Sequence, residues 1–416
     1  MHCEPCLSSS PGSAEIAVLD TIHGAATLAS EMVDRGLRAT ALEVYHENPE
    51  MSGYDLVVAP VHLWSGNPAL EEARRLGKRV ITHHRAVGEL LGPPGMRVFE
   101  LTGTRGKTTS ALLLARILSQ RGRILSHTTR GIEIWEDGNS RIISSGLSIT
   151  PANMILALKE ALAAGAGSLV GEVSLGGCGL ADYGILTSLS GDYLVAQGSL
   201  WASTAKLQMV SLLRSGSLLI SNMDAAISSN MTFGPGGDVS CDGSTLAFRE
   251  RSAKLELGGG VDRSSYLQAI ACAAAASIAA GLFVEEIAEA LEGFEGFSGR
   301  MMVSSREGLS LVDNSNSGLQ VSGISHALDY ARGGSLALVA GEEAQTVCEG
   351  MDVPALVELL RSRRDEIDLL VLVGERLRPY AKELHAITAS DLPSGLALAE
   401  ERPGLDKLLS CVKCFR

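Results

Sequence analysis

The sequence has few aromatic residues, no basic excess, no long apolar run and no spaced cysteine framework, and each lack removes a class of protein. Phe, Trp and Tyr make up only 4% of 416 residues, against 46 glycines, so the cores must be closely packed Ala, Leu, Val and Ile. A formal net charge of -13 gives no electrostatic reason to bind nucleic acid. No stretch reaches about 18 clean apolar residues, and no basic segment leads into an amino-terminal apolar run. A soluble, cytoplasmic protein with no membrane partner is the expectation. The eight cysteines are scattered rather than set out as a disulfide scaffold. Two CxxC pairs, Cys3/Cys6 and Cys411/Cys414, leave two readings: four thiolates gathered on a soft metal, or dispensable tails.

What is present is organised around residues 97–120, RVFELTGTRGKTTSALLLARILSQ. An apolar strand breaks at Gly103 and resumes as a helix whose Leu112, Leu113 and Ile117 share a buried face. Gly103 and Gly106 let the backbone curl, with Thr104 and Arg105 between them, so that successive N–H groups converge. The helix start adds its positive end, Lys107 a full charge, and Thr108, followed by Thr109, a hydroxyl for magnesium. All of these features serve one triphosphate. The competing reading is a tight turn with a solvent-facing lysine.

Length suggests two or three units, each with its own core. From Ile16 onward, short apolar runs alternate with helical stretches, and GPPG at 92–95 punctuates the chain. EIAVLD, TALEVY, YDLVVAPVHL and KRVITHH read as strands of a small parallel sheet. His23 beside Asp20, His46 beside Tyr45, His62, His83 and His84 then fall at strand ends, where open parallel sheets bind ligands. His23 and His62 are the preferred pair, for an acidic substrate or a metal, against the plainer reading of loop histidines. A central unit follows, with strands near 168–174, 183–190 and 217–222. Its helices are expected at 151–164, capped by Thr150, and at 201–213, with an edge hairpin at TLAF and KLEL and a closing alanine-rich helix at 266–280. After GFSGR at 296–300 a third alternating unit begins, with strands LSLVD, LALVAGE and IDLLVLVGE. The expected architecture is α/β with three domains, at 1–95, 96–299 and 300–416: a central phosphate-loop parallel sheet flanked by two smaller Rossmann-like domains. Glu172 and Asp192 leave strands on the loop's own edge, where carboxylates hold magnesium or simply face solvent.

GTRGKTT at 103–109 resembles the ATP loop of the Mur ligase superfamily, whose members join a carboxylate to an amine through an acyl phosphate. The resemblance covers about residues 97–375 and implies a Mur ligase-like fold binding ATP with Mg2+, or Mn2+ in its place. Glu172 of EVSLGG matches the family's metal-binding glutamate, and TSLSGDY at 187–193 matches a T-N-x-x-x-D-H segment that brings Asp192 to the metal. Lys206 matches a lysine that is often carbamylated and helps hold a second metal. Ser188 replaces the family's Asn, and Tyr193 replaces its His. A neutral phenol is a poor ligand for a hard ion, so a second metal there would need water to complete it. ISNMDAA places Asn222 at the nucleotide, while GVDRSSYLQA at 260–269 stands where an adenine-side H-N-x-x-N is usual. Arg300 matches the arginine that reaches the ATP phosphates, and Asp313 a cleft-lining aspartate.

The first domain does not resemble the UDP-sugar module of the cell-wall ligases. DTIHG at 20–24, APVHL at 59–63 and ITHHR at 81–85 resemble instead the methanogen branch of the superfamily. That branch activates a propionate of a nickel tetrapyrrole, 15,17(3)-seco-F(430)-17(3)-acid, and closes a ring on it to give coenzyme F(430). The resemblance implies that nickel enters only within the substrate, that ADP and phosphate are products, and that Lys107, Glu172, Lys206 and Arg300 serve catalysis, with His23 or His62 as base. An ATP-dependent ligase joining a carboxylate to an amino acid or other amine is the alternative, and a non-catalytic nucleotide-binding scaffold a third.

Overall fold

A computed structural model describes residues 14–306, 308–343 and 350–415. Cys3 and Cys6, half of the conjectured thiolate set, lie outside them. The chain forms two compact units, one holding residues up to Lys254 with Leu267–Ala290, the other Leu255–Tyr266 with the chain from Leu291 onward. Among the described residues no helix is long and apolar enough to cross a membrane.

The first unit contains two main sheets, besides a two-stranded antiparallel pair, Leu194–Val195 with Leu200–Trp201. The smaller is parallel throughout, in the order Arg38–Leu42, Glu15–Leu19, Leu56–Ala59, Arg79–Thr82. Its inner strands are continuous apolar runs because helices cover both faces. The larger has eleven strands, with Arg97–Thr102 between Tyr183–Leu186 and Ser168–Glu172. Leu218–Asn222 and Ile124–Thr128 extend that parallel core on either side. The two sheets share one core, in which Ile16, Val18, Leu28 and Val87 pack in a cluster with Val98, Ile155 and Leu169. Gly88 shows how close the approach is, since a Cβ there would fall 1.9 Å from the Cys178 carbonyl oxygen.

Several local expectations are corrected. The strand in KRVITHH stops at Thr82, whose hydroxyl accepts from the Arg85 N–H and caps a helix, His83–Leu91. His83 and His84 therefore open a helix and are buried, their Nε2–H groups donating to the Leu19 and Ser174 carbonyls. Thr150 is no cap: the helix runs Asn153–Ala163 from Ala152, and the Thr150 hydroxyl is buried without a partner. The single helix expected over 201–213 breaks at Leu207 into Ala202–Lys206 and Gln208–Leu212. The edge hairpin pairs Thr245–Phe248 with Arg251–Lys254, not with KLEL, because Arg249 turns the chain early at φ 53. A second hairpin, Gly131–Glu136 with Asn139–Ser144, was not anticipated, although Asp137 and Gly138 at φ 48 and 77 make the Asp-Gly turn its sequence announces.

The second unit is a six-stranded sheet in the order Met302–Arg306, Leu309–Asp313, Lys407–Lys413, Leu336–Glu342, Leu369–Val373, Ile387–Ala389. Only its first pair is antiparallel. The strand Lys407–Lys413 lies in the middle, so the carboxyl-terminal CxxC is no dispensable tail. Cys411 and Cys414 are buried, and burial pushes the Cys411 thiol up, away from the thiolate that a metal needs.

Burial holds His84 at a pKa of about 4, against an ordinary 6.5. A depressed histidine pKa means that the unfolded chain binds the proton first, so this contribution to stability is present above 6.5 and is lost as pH falls toward 4. Moving from about pH 7 to about pH 5 should cost the wild type about 2 kcal/mol through this group alone. His84→Gln should lose correspondingly less in urea midpoint over that interval. Parallel pH profiles for the two proteins would contradict the assignment.

Candidate nucleotide site and first-domain histidine cluster

The loop at 103–106 is shaped by what it must avoid. Gly103, at φ 153, lies against the next strand's continuation, where a Cβ would meet Thr187 Oγ1 at 2.2 Å. Gly106, at φ 76, turns the chain into the helix Lys107–Leu118, which no side chain caps. Its first N–H groups and dipole therefore face the loop. The loop is tied down by Thr104 N–H to Ser188 O at 2.9 Å, Thr104 Oγ1 to Ser190 O at 2.6 Å, and Thr187 Oγ1 to Arg105 O at 2.6 Å.

Glu172 ends the strand beside the loop's own strand, in register with Leu101, and is 2% exposed. Its Oε2 accepts from Thr108 Oγ1 at 2.7 Å and from the Thr129 N–H at 3.4 Å, and Lys107 Nζ lies 3.9 Å from Oε1. Lys107 also donates to Gly103 O at 3.1 Å. The structure thus brings Lys107, Thr108 and Glu172 together. A carboxylate and a hydroxyl are hard oxygen donors of the kind magnesium takes, so these residues fit that ion.

Beside them a cleft of about 560 Å³ is lined by Arg105, Gly106, Ser188, Asn222, Asp224 and Gln268 among others, a size suited to a nucleotide. Asn222 donates to Thr187 O and Gln268 Oε1, both at 3.1 Å, and its Oδ1 receives the Asp224 N–H. Ser188 donates to Asp224 Oδ2. Thr109 lies in the first turn of the helix. Asp192 is engaged locally, accepting from Tyr193 N and Ser203 N, each at 2.9 Å, and from the Ser203 hydroxyl. Lys206 is buried, with Nζ 3.3 Å from Tyr193 OH and 4.8 Å from the centre of its ring. The lysine and the tyrosine thus meet each other where the family pattern sets a lysine and a histidine.

In the second unit, Asp313 ends its strand with Oδ2 accepting from Gly299 N at 2.8 Å and Oδ1 from Ser410 Oγ at 2.9 Å. Asn316 also holds Gly299, through its carbonyl. Both brace the turn that carries Arg300. In the first domain His23, His62 and Asp20 converge at the carboxyl ends of adjacent strands, with His23 Nδ1 2.6 Å and His62 Nε2 3.2 Å from Asp20 Oδ2. Asp20 is fully buried, and although burial alone would raise its pKa, hydrogen bonds from His23, His62 and Tyr45 hold it well below the carboxylate range. Thr129, Asp224 and Gln268 were not picked out from sequence. Thr129 follows the strand Ile124–Thr128, in which only Ile124 and Leu125 are apolar, so neither it nor Gln268 carries a clear local signal.

The chain is similar to known proteins in sequence and in fold. The family profile for the coenzyme F430 synthetase CfbE C-terminal domain matches residues 303–414, and that for the Mur ligase middle domain matches residues 101–236. The coenzyme F(430) synthetase of Methanosarcina acetivorans is 35% identical, over 97% of this chain and 99% of its own length. A UDP-N-acetylmuramoylalanine–D-glutamate ligase of Chlorobium limicola is 28% identical over 73% of the chain and 69% of its own. Crystal structures of MurF from Acinetobacter baumannii, with TM-score 0.58 over 80% of this chain and 78% of that one, and of a bifunctional folylpolyglutamate synthase/dihydrofolate synthase from Yersinia pestis, with 0.57 over 80% and 90%, share the fold at 17% identity. With its α/β Mur ligase-like fold and that near full-length identity, the chain belongs to the coenzyme F(430) synthetase family of the Mur ligase superfamily.

Proposed function

We propose that the protein is an ATP-dependent ligase-like cyclase that activates a propionate carboxylate of 15,17(3)-seco-F(430)-17(3)-acid and closes a carbocyclic ring on it, giving coenzyme F(430), ADP and phosphate. The observation that carries the reading is the 35% identity to a coenzyme F(430) synthetase over nearly the whole of both chains. It is supported by a loop and a buried glutamate that suit a magnesium-bound triphosphate.

The loop amides from 103 to 108 and Lys107 would hold the β- and γ-phosphates, with Arg105, Asn222 and Gln268 toward the rest of the nucleotide. Thr108 and Glu172 would hold magnesium, and Asp192 with Lys206 would stand at a further metal position. When bound, magnesium supplies positive charge to phosphate oxygens. Lys107 and Arg300 would neutralise charge as the substrate carboxylate attacks the γ-phosphorus and the bond to ADP breaks. The carboxylate must be activated because its charge repels a nucleophile and its oxygen leaves poorly. A substrate carbon acidified by an adjacent carbonyl then gives up a proton and attacks the acyl carbon. A carbon–carbon bond forms, the carbon–oxygen bond to phosphate breaks, and phosphate departs. The proton acceptor would come from the cluster of His23 and His62 over Asp20. Intramolecular closure draws on orientation, worth up to about 7–11 kcal/mol in favourable cases.

Substrate labelled with oxygen-18 in the reacting carboxylate is expected to deliver one label to inorganic phosphate and to yield one ADP per ring formed. AMP with pyrophosphate, unlabelled phosphate, or a strict need for an added amine would overturn the reading. Lys107→Ala removes a charge-assisted donor, which costs about 3 kcal/mol of transition-state stabilisation, or ~100-fold in rate. Turnover near wild type in that folded variant would remove Lys107 from the chemical step.

A further inference from the structure

Among the described residues, one group of three carboxylate or imidazole side chains is gathered closely enough to share an ion: Asp20, His23 and His62. It belongs to the smaller sheet, and the phosphate-loop chemistry does not call for a metal there. Asp20 follows Glu15–Leu19 and stands at φ 79, a conformation that Asp tolerates better than most residues. Its Oδ1 accepts from the Ile22 and His23 N–H groups, both at 3.1 Å, which fixes the carboxylate and aims Oδ2 at the rings. His62 comes from the segment after Leu56–Ala59, the strand paired with Glu15–Leu19.

Hydrogen bonding alone fits this cluster poorly. Asp20 Oδ2 is approached by His23 Nδ1 at 2.6 Å, His62 Nε2 at 3.2 Å and Tyr45 OH at 2.9 Å, three donors on one oxygen with two lone pairs. The two ring nitrogens also face each other at 3.3 Å, with rings nearly perpendicular at 80°. A proton on each would set two N–H groups against each other. A cation between them would engage a lone pair from each ring and the negative oxygen together. Bonds of about 2.0–2.2 Å from nitrogen and oxygen to a divalent transition ion put neighbouring donors about 2.9–3.5 Å apart. Two of the three separations already lie in that range, and the third meets it if Asp20 and His23 part by a few tenths of an ångström.

We infer that Asp20 Oδ2, His23 Nδ1 and His62 Nε2 form a binding site for one first-row divalent transition ion of the Zn2+ type. Two imidazoles and one carboxylate select such an ion over Mg2+ or Ca2+, which take oxygen donors. Tyr45 supports the site from behind by donating to the ligating oxygen. The His23 and His62 side chains keep 20% and 29% of their exposure, so the ion can enter from solvent. Three protein ligands leave a position for water or for an anionic substrate oxygen. If the proposed ring closure uses this cluster, the proton acceptor there would be a hydroxide held by the ion, formed by loss of a proton from its water, rather than a ring nitrogen. The site itself stands on the donor geometry and not on that activity.

The test uses the full chain, stripped with chelator and titrated with Co2+ while its visible absorption is followed, with Zn2+ as competitor. One Co2+ per chain should produce ligand-field bands without a thiolate charge-transfer band, and Zn2+ should abolish them. His62→Ala and the closer-sized His62→Gln should each weaken binding by at least ~100-fold, beyond the cost of losing a supporting group. Tyr45→Phe should keep the bands, since it removes no ligand. Circular dichroism confirms the fold of each variant. A folded wild type that shows no bands at millimolar Co2+, binding unchanged in a folded His62 variant, or a thiolate band would each overturn the assignment.

Discussion

A carboxylate withdrawn from water has to be matched by charge and hydrogen bonds, and beside the phosphate loop that carboxylate is Glu172. It is 2% exposed, takes a hydrogen bond from the Thr108 hydroxyl, and has the Lys107 ammonium 3.9 Å away. The strand Ser168–Glu172 can deliver it there only because it pairs in parallel with Arg97–Thr102, so that both chains end on the same edge. The glycines at 103 and 106 then follow from geometry. One must clear Thr187 and the other must turn the chain into a helix whose uncapped start faces the same space.

The smaller sheet is fixed to this arrangement through shared packing. Apolar residues on Glu15–Leu19, Ala25–Asp34 and His83–Leu91 enter the same cluster as those on the larger sheet. The near contact of Gly88 with the Cys178 carbonyl leaves no room for a side chain. The Asp20 cluster is thereby carried on a scaffold continuous with the phosphate loop. A site assembled on strand ends over a shared core keeps its geometry better than one built on free loops.

Much of this was legible because parallel strands and phosphate loops write themselves into short stretches of sequence. The apolar run into Gly103 and the charge at Lys107 announce a cradle, and Glu172 closes an apolar strand of the same sheet. His23 and His62 stood out for lying at strand ends, and the structure does bring them together over Asp20. Less legible was anything depending on partners distant in sequence. Thr129 and Gln268 earn their places only through the fold, and Asp192 spends its oxygens on Ser203 and Tyr193. The terminal strand Lys407–Lys413 reads locally as a tail, yet it is the middle of a sheet because parallel pairing links segments far apart in the chain. His83 and His84 read as the end of a strand, yet they open a helix, because the cap at Thr82, rather than any periodicity, decides where the strand stops.

The central claim is that Glu172 and Thr108 form the oxygen platform on which a metal meets the phosphates held by the loop. Electron paramagnetic resonance of Mn2+ in the presence of a non-hydrolysable ATP analogue measures this directly. In the wild type the analogue should draw Mn2+ from the free to the bound signal. In Glu172→Gln, which keeps the shape but removes the charge, Mn2+ should bind at least ~10-fold more weakly while the analogue still occupies the loop. Equal Mn2+ affinity in the two proteins would contradict the account.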